Sequence, residues 1–428
     1  IPITDEPTGG PAGGIKIQGT YTNPSPNVTI DAGGTSRIFN IDANDPTDSI
    51  ELDNLILKNG QTPASGNGGL IRVASPSSGR RTVTITNSDL TDSNATNAGG
   101  AIYVNSSNDV ILNDTSIERN TAASDGGGIA ISSNSTLTYN QTTSTHLKSI
   151  DSNTATTGNG GGIYIGPSSK LDIVHSDPSA TSLAITGNTA TNGNGGGIYF
   201  ANTTGGTVPT STITGANNAP VIIRVNHADG GTGGGIHLSK GTLTANYTTI
   251  GGSRGGNTAN NGGGIYVQNG NLTINNSTIE DNTAFTDGGG INFNSGDAGT
   301  LNVDSTQFIG NSTTTGNGGG MDDNSTGGEM HITNSTFGGP NTVNANTSAY
   351  AGGGLHIGSN ISSSPTGTTI NNTMFENNTA YAGGAIAVDP HATLNVTGGA
   401  QAGFDQNSAY NGGALFIDGN KTGTPTSV

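Results

Sequence analysis

No cysteine occurs among the 428 residues, which excludes a disulfide framework and any thiolate-bound metal. Charge is also scarce: charged residues make up 10% of the chain and hydrophobic residues 30%. Lys and Arg number 13 against 30 Asp and Glu, a formal net charge of −17. Nucleic acid and anionic membrane surfaces need a basic face, so this balance speaks against both as partners. It does help keep a Thr/Asn-rich surface in solution. No run of 18 apolar residues is present, so no segment reads as a membrane-spanning helix and no membrane insertion is expected within the chain. The first residues, Ile1-Pro2-Ile3-Thr4-Asp5-Glu6, lack the basic and apolar regions of a signal peptide. Helical apolar periodicity is missing too, and Gly, at 72 residues, would weaken any helix. Low charge together with recurring apolar triplets argues for an ordered repeat rather than a disordered polar chain.

That repeat has two parts. A glycine cluster followed by an apolar-x-apolar triplet reads Gly99-Gly100-Ala101-Ile102-Tyr103-Val104, and the triplet returns at Ile129, Ile163, Ile198, Ile236, Ile265, Ile291, Met321, Leu355, Ile386 and Leu415. Successive copies are 26 to 38 residues apart, with a weaker copy at Leu70-Ile71. Before each cluster comes apolar-x-x-Asn, as in Ile117-Glu118-Arg119-Asn120, with counterparts at Asn153, Asn188, Asn282, Asn311, Asn378 and Asn407. Between the two lies an alternating strand such as Leu272-Thr273-Ile274. Three short strands in 26 to 38 residues make one coil of a solenoid, whereas a propeller blade needs four strands and more chain.

The expected fold is therefore all-β: a single-stranded right-handed parallel β-helix, a pectate-lyase-like solenoid with three strands per coil and about 13 coils. It runs as one continuous body, with irregular lead-in coils over 1–65 and regular coils over 66–428. Alternation places Ile265 and Val267 inward and Tyr266 outward. The Gly pair supplies a tight corner that a Cβ would obstruct. The Asn residues are expected to stack from coil to coil as an amide ladder. Phe308, Phe337, Phe375 and Phe404 replace Ile at one inward position, which implies a differently filled core in the C-terminal half. The segments Asp177-Pro178-Ser179 and Thr203–Pro209 read as loop excursions, and Arg80-Arg81 as a turn.

The pairing of Gly-Gly-Ala/Gly-Ile/Leu with Phe/Ile-x-x-Asn resembles the repeats of chlamydial polymorphic membrane proteins. The best copies are Phe375-Glu376-Asn377-Asn378 with Gly383-Gly384-Ala385-Ile386, and Phe404-Asp405-Gln406-Asn407 with Gly412-Gly413-Ala414-Leu415. The resemblance covers roughly residues 90 to 420, and it implies the β-helical passenger of an autotransporter adhesin. The absence of cysteine and of a translocator barrel sets this chain apart from that family.

Several residues are candidates for function. Tyr103, Tyr164, Tyr199, His237, Tyr266 and His356 share the outward position of the triplet, either as β-favouring residues on an exposed face or as a docking stripe for glycan or protein. Asp322-Asp323 is the one Asp-Asp pair. It reads first as a solvated loop and second as a weak Ca²⁺ site, since carboxylates suit a hard cation. No other cofactor is implied, because no glycine cluster is followed by Lys-Ser/Thr. Asn113, Asn134, Asn202, Asn246, Asn271, Asn334 and Asn395 stand in glycosylation sequons and favour a secreted, cell-surface location. With no catalytic constellation visible, the expected role is non-enzymatic: a structural or adhesive protein. Neither end carries an obvious cap, and head-to-tail self-association into a filament follows from the open strand edges. The alternatives are a passenger fragment of a larger adhesin and a polysaccharide lyase or hydrolase.

Overall fold

The computed structural model describes residues 2–3, 14–19, 28–42, 49–76, 79–142, 148–177, 183–202, 209–296, 299–358, 367–400 and 402–419. Pro178–Ser179, Thr203–Val208 and the C-terminal Thr424–Val428 therefore lie outside the described residues. Two compact units divide the chain, Ile1–Ile222 and Ile223–Val428. Each is a parallel β-solenoid. Apart from the single short turn Thr342–Asn344, no helix occurs among the described residues.

In the first unit the strand after each glycine corner stacks in register: Ile71 on Ile102, then Ile129, Ile163 and Ile198. A second row carries Val83, Val110, Leu137 and Leu171. A third carries Leu57, Leu90, Ile117, Ile150 and Ile185. A fourth pairing, only two residues long, follows each corner Asn and aligns Ala95, Ala122, Ala155 and Ala190. It adds a minimal strand to the three expected. All these inward side chains are fully buried, so each coil contributes one thin layer of aliphatic core. Burying a full Ile or Leu is worth about 1.5–3 kcal/mol, and identical residues in successive layers fill the same space at every level.

The lead-in stretch joins this pattern earlier than its composition suggests. Phe39–Ile41 pairs with Ile71–Val73, and Ser49–Asp53 with Arg81–Thr86. Thr35-Ser36-Arg37 stands there in place of the glycine cluster, and Arg37 donates from Nε to the Gly68 carbonyl at 2.8 Å. Arg81 is a correction. It opens the strand Arg81–Thr86 with its side chain buried, donating to the Ala74 carbonyl, while Arg80 stays at the surface paired with Asp109. Strand alternation, not charge, decides which of the two neighbours points inward.

The second unit repeats the scheme. Ile265, Ile291, Met321, Leu355, Ile386 and Leu415 form one column. Ile250, Ile279, Phe308, Phe337, Phe375 and Phe404 form another. The four Phe rings stack with centroids 4.3, 4.8 and 5.5 Å apart and interplanar angles of 1°, 11° and 16°. The core of the C-terminal half is thus filled by a continuous aromatic column, an arrangement the coil spacing imposes on any repeated inward Phe.

Two corners set the coil. At the first, Gly99 has φ +70, and a Cβ on Gly100 would lie 1.9 Å from the Gly127 carbonyl oxygen of the next coil. A side chain there would push neighbouring coils apart. At the second, the residue before the corner Asn is left-handed in eight coils, where Arg119, Ser152, Gly187, Val225, Asp281, Gly310, Asn377 and Gln406 have positive φ, while Ala345, before Asn346, has φ −61. Val225, with φ 54, is the β-branched member of that set. A left-handed residue bearing a Cβ costs roughly 1–2 kcal/mol, and a branched one is at the upper end. Val225→Asn should therefore raise stability by about 1 kcal/mol, read as a higher urea midpoint at unchanged slope.

Candidate functional site

Three features carry the polar chemistry of the two units: the corner asparagines, the outward position of the triplet strand, and a buried acid–histidine cluster.

Every expected ladder residue is in the ladder. In the first unit Asn120 Nδ2 donates to Asn153 Oδ1 at 3.0 Å, and Asn153 Nδ2 to Asn188 Oδ1 at 2.9 Å. Each Oδ1 also accepts the backbone N–H of the preceding asparagine, as Asn153 Oδ1 does from Asn120 N at 3.0 Å. The second Nδ2 proton goes to a carbonyl one coil back, from Asn153 to Ile117 O at 2.9 Å. Two donors and two acceptors per amide are thus all used, in fully buried side chains. Ser93 occupies the same position one coil earlier, with its Oγ donating to Asn120 Oδ1 at 2.6 Å.

In the second unit the ladder runs through Asn226, Asn257, Asn282, Asn311, Asn346, Asn378 and Asn407. Sequence reasoning missed Asn226, Asn257 and Asn346. Gly251–Gly256 and Gly338–Ala345 separate the last two from their strands, and His227 follows Asn226 where Thr or Ser is usual. The signal that would have found the first two is the Ala two residues after most ladder asparagines, present as Ala228 and Ala259; Asn346 is followed by Ser348 instead. Asn282→Ala would strip the acceptor from Asn257 N and Nδ2 and the donor from Ile250 O. At about 1–3 kcal/mol for each buried group left unsatisfied, the loss should exceed about 3 kcal/mol. Asn407→Ala, at a half-exposed position, should cost less; urea unfolding of both variants checks the order.

The outward stripe exists as a line of aligned positions, but it is recessed. Along the first unit it reads Asn40, Arg72, Tyr103, Ala130, Tyr164, Tyr199. Along the second it reads His237, Tyr266, Asn292, Asp322, His356, Ala387, Phe416. The four tyrosines are half-buried, and His237 and His356 are buried at 4% and 3% exposure, which corrects the expectation of an exposed face. Where the triplet strand is three residues long, as at Tyr103, Tyr164, Tyr199 and His356, turns flank the outward side chain at both ends; His237 and Tyr266 lie instead in the 11-residue strands Ile236–Asn246 and Ile265–Asn275. A Cβ on Gly68 would come within 3.2 Å of the Tyr103 Cβ, so bare glycines make the room the stripe needs. Tyr164 and Tyr199 stack at 5.5 Å, and His237 and Tyr266 at 5.1 Å. Burial lowers the His237 pKa to about 4, and burial raises that of Tyr164 to about 12, with Asp125 adding to the shift.

Asp322 and Asp323 are also corrected: they lie in the strand Met321–Asp323 and both are buried, not in a solvated loop. Asp322 Oδ1 sits 2.6 Å from His356 Nδ1, and Asp322 Oδ2 accepts from Asn292 Nδ2 at 2.8 Å. The other ring nitrogen of His356 is 3.3 Å from Asp389 Oδ1. Asp323 accepts from Ser325 N and Oγ and from Thr368 Oγ1. The carboxylate oxygens are thus already turned to N–H and O–H donors. A Ca²⁺ ion at Asp322-Asp323 would have to displace His356, and no group of three acidic or histidine ligands converges among the described residues. Burial works against the His356 imidazolium, but its two carboxylate partners outweigh burial and raise the pKa to about 10. Burial raises Asp322 to about 6 against the pull of His356.

A histidine raised above its unfolded value stabilises the fold fully below about pH 6.5, and the stabilisation drains away as pH rises toward 10. The raised Asp322 has the same sign at lower pH. The melting temperature should therefore fall steadily between about pH 7 and pH 9.5, and His356→Gln should flatten that slope. Thermal melts followed by circular dichroism across this range check it.

The sequon asparagines divide by exposure. Asn134, Asn202, Asn271, Asn334 and Asn395 are exposed, whereas Asn113 and Asn246 are half-buried and accept from Asn140 and Asn275 of the neighbouring coil. A recess of about 260 Å³ beside Lys148 and Glu118 is internally neutralised: Lys148 pairs with Asp89 at 2.8 Å, and Arg119 with Glu118 at 3.1 Å. A second recess, of about 240 Å³, opens at Ala130 in the stripe. No family model, curated protein or solved structure matches the chain. The likeness to chlamydial repeats rests on the short motifs alone.

Proposed function

We propose that this chain is a non-enzymatic, extracellular structural and adhesive protein that self-associates end to end. The observation that carries this reading is the coil from Gly403 to Ile417. It repeats the register of the coils before it, with Phe404 on Phe375 and Leu415 on Ile386. Yet Phe404 is 44% and Ile417 41% exposed, at positions where Phe375 and Val388 are buried. Stacked aromatic and aliphatic columns are a template for another coil of the same kind, and the self-association reading takes that coil from a second copy of the chain. The pairing of His356, Asp322 and Asp389 with one another supports a structural rather than a catalytic role for the buried ionisable groups. The exposed sequons and the acidic, Thr/Asn-rich surface favour an extracellular setting.

A second reading, the passenger of an autotransporter-type adhesin, is favoured by the Gly-Gly-Ala-Leu and Phe-x-x-Asn pairs of the last coils. It assigns the cover of Phe404 to further coils of the same chain. Sedimentation of the purified chain over a wide concentration range, with negative staining, separates the two. Self-association predicts species that lengthen with concentration, and Phe404→Lys should abolish them. Strictly monomeric particles at every concentration would overturn the self-association reading.

A further inference from the structure

The outward stripe of the first unit is interrupted at one level. Tyr103, Ala130 and Tyr164 are aligned in three successive coils, and Ala130 is buried between the two tyrosines. Coils are about 4.8 Å apart, so the strand positions that carry the two rings lie about 9.6 Å from one another. Aromatic rings one coil apart in this protein stack at 5.1 to 5.5 Å, as His237–Tyr266 and Tyr164–Tyr199 do. A ring lying over Ala130 would therefore meet a tyrosine face on either side at ordinary stacking distance. The recess at this point measures about 240 Å³ and is bordered by Ser124 and Asp125 on one rim and Ser132 on the other. It is a slot one ring thick, with aromatic walls, an alanine floor and a polar rim.

We propose that this slot binds a single neutral pyranose ring of a glycan. This deepens the adhesive reading above and rests on it. A pyranose offers C–H faces to the electron-rich faces of Tyr103 and Tyr164, and hydroxyls around its edge to the rim. Asp125 Oδ1 is held by Asn159 N and Nδ2 at 2.7 and 3.3 Å, which leaves Oδ2 to accept from a sugar hydroxyl. Tyr164 stays protonated well above neutral pH because it is buried and faces Asp125, so its hydroxyl remains a donor. A plain aromatic ring would fill the slot but would leave the rim groups facing an edge with nothing to pair. The rim carboxylate and the net charge of −17 reject uronic and sialic acids, and a nucleotide for the same reason. The volume lies below the range of drug-sized pockets and suits one sugar unit with the rest of the glycan outside.

The decisive variant is Ala130→Tyr. It closes the slot with the residue the stripe already carries at Tyr103 and Tyr164, so the fold is expected to hold, and an unchanged melting curve verifies this. The chain has no Trp, so its fluorescence comes from ten tyrosines, two of which line the slot, and its difference between the native chain and Tyr164→Ala, together with saturation-transfer NMR of the ligand, reads binding there. Methyl glucopyranosides and galactopyranosides serve as probes, with p-cresol and glucuronic acid as comparison ligands. The expected result is saturable binding of a neutral methyl glycoside that weakens at least about tenfold in Ala130→Tyr and in Tyr164→Ala. No saturable binding of any neutral glycoside, binding that survives Ala130→Tyr, or preference for p-cresol or glucuronic acid would each overturn the proposal. Ala130→Tyr leaves Phe404 and the last coil untouched, so loss of sugar binding with assembly intact, or the reverse, tells failure of this inference from failure of the self-association reading.

Discussion

The regular coils of both units depend on one polar side chain at the corner, an amide throughout the ladder except at Ser93. A parallel strand pair satisfies backbone groups along the strand, but a corner turns backbone N–H and C=O groups away from any ladder, and burying them unpaired is costly. The corner asparagine resolves this by offering two donors and two acceptors directed along the solenoid axis. Asn282 takes N–H from Asn257, gives one proton to Ile250 and one to Asn311, and leaves nothing unpaired. Neither Gln nor Asp can replace it: one is a methylene too long, and the other cannot donate. Because each amide is bonded on both sides, a slip of one coil by a single residue would break contacts in two neighbours. The ladder therefore holds register for the apolar columns, which on their own would tolerate some sliding.

The outward stripe shows how one backbone position can take very different chemistry under the same constraint. Bare glycines at the adjoining corner leave space beside the triplet, and whatever occupies its middle residue lies in a trough. Aromatic residues stack there with their counterparts one coil away. Asn292, Asp322 and His356 instead form a hydrogen-bonded run, with His356 also paired to Asp389. At Ala130 the trough is left open between two rings, and a surface that is otherwise self-satisfied acquires a shaped recess. Stripe and ladder are both periodic, but the ladder varies only at Ser93, whereas the stripe carries Tyr, His, Asn, Asp, Arg and Ala.

The few charged groups follow the same logic of local pairing. Lys148 with Asp89, Arg80 with Asp109, and His356 between two carboxylates each bring opposite charges from different coils together. These pairs tie neighbouring or next-neighbouring coils to one another. Exposed ones add little stability, and the buried ones serve register more than affinity.

The sequence by itself determined the coil: Gly clusters, apolar triplets and Asn at a constant offset permit only parallel stacking, because identical residues recur at the spacing one turn of a solenoid needs. It also identified seven ladder asparagines and the inward Phe column, whose positions follow from period-2 alternation. Tertiary structure alone decided which outward residues are reachable. Burial of His356 and Asp322 accompanies turns at both ends of a three-residue strand, whereas His237 is buried in an 11-residue strand against Thr232; neither is written in local alternation. Insertions hid Asn257 and Asn346, because a loop of any length can return the chain to the same corner. The slot at Ala130 needed three coils in register before a small residue could be seen as an opening between two rings.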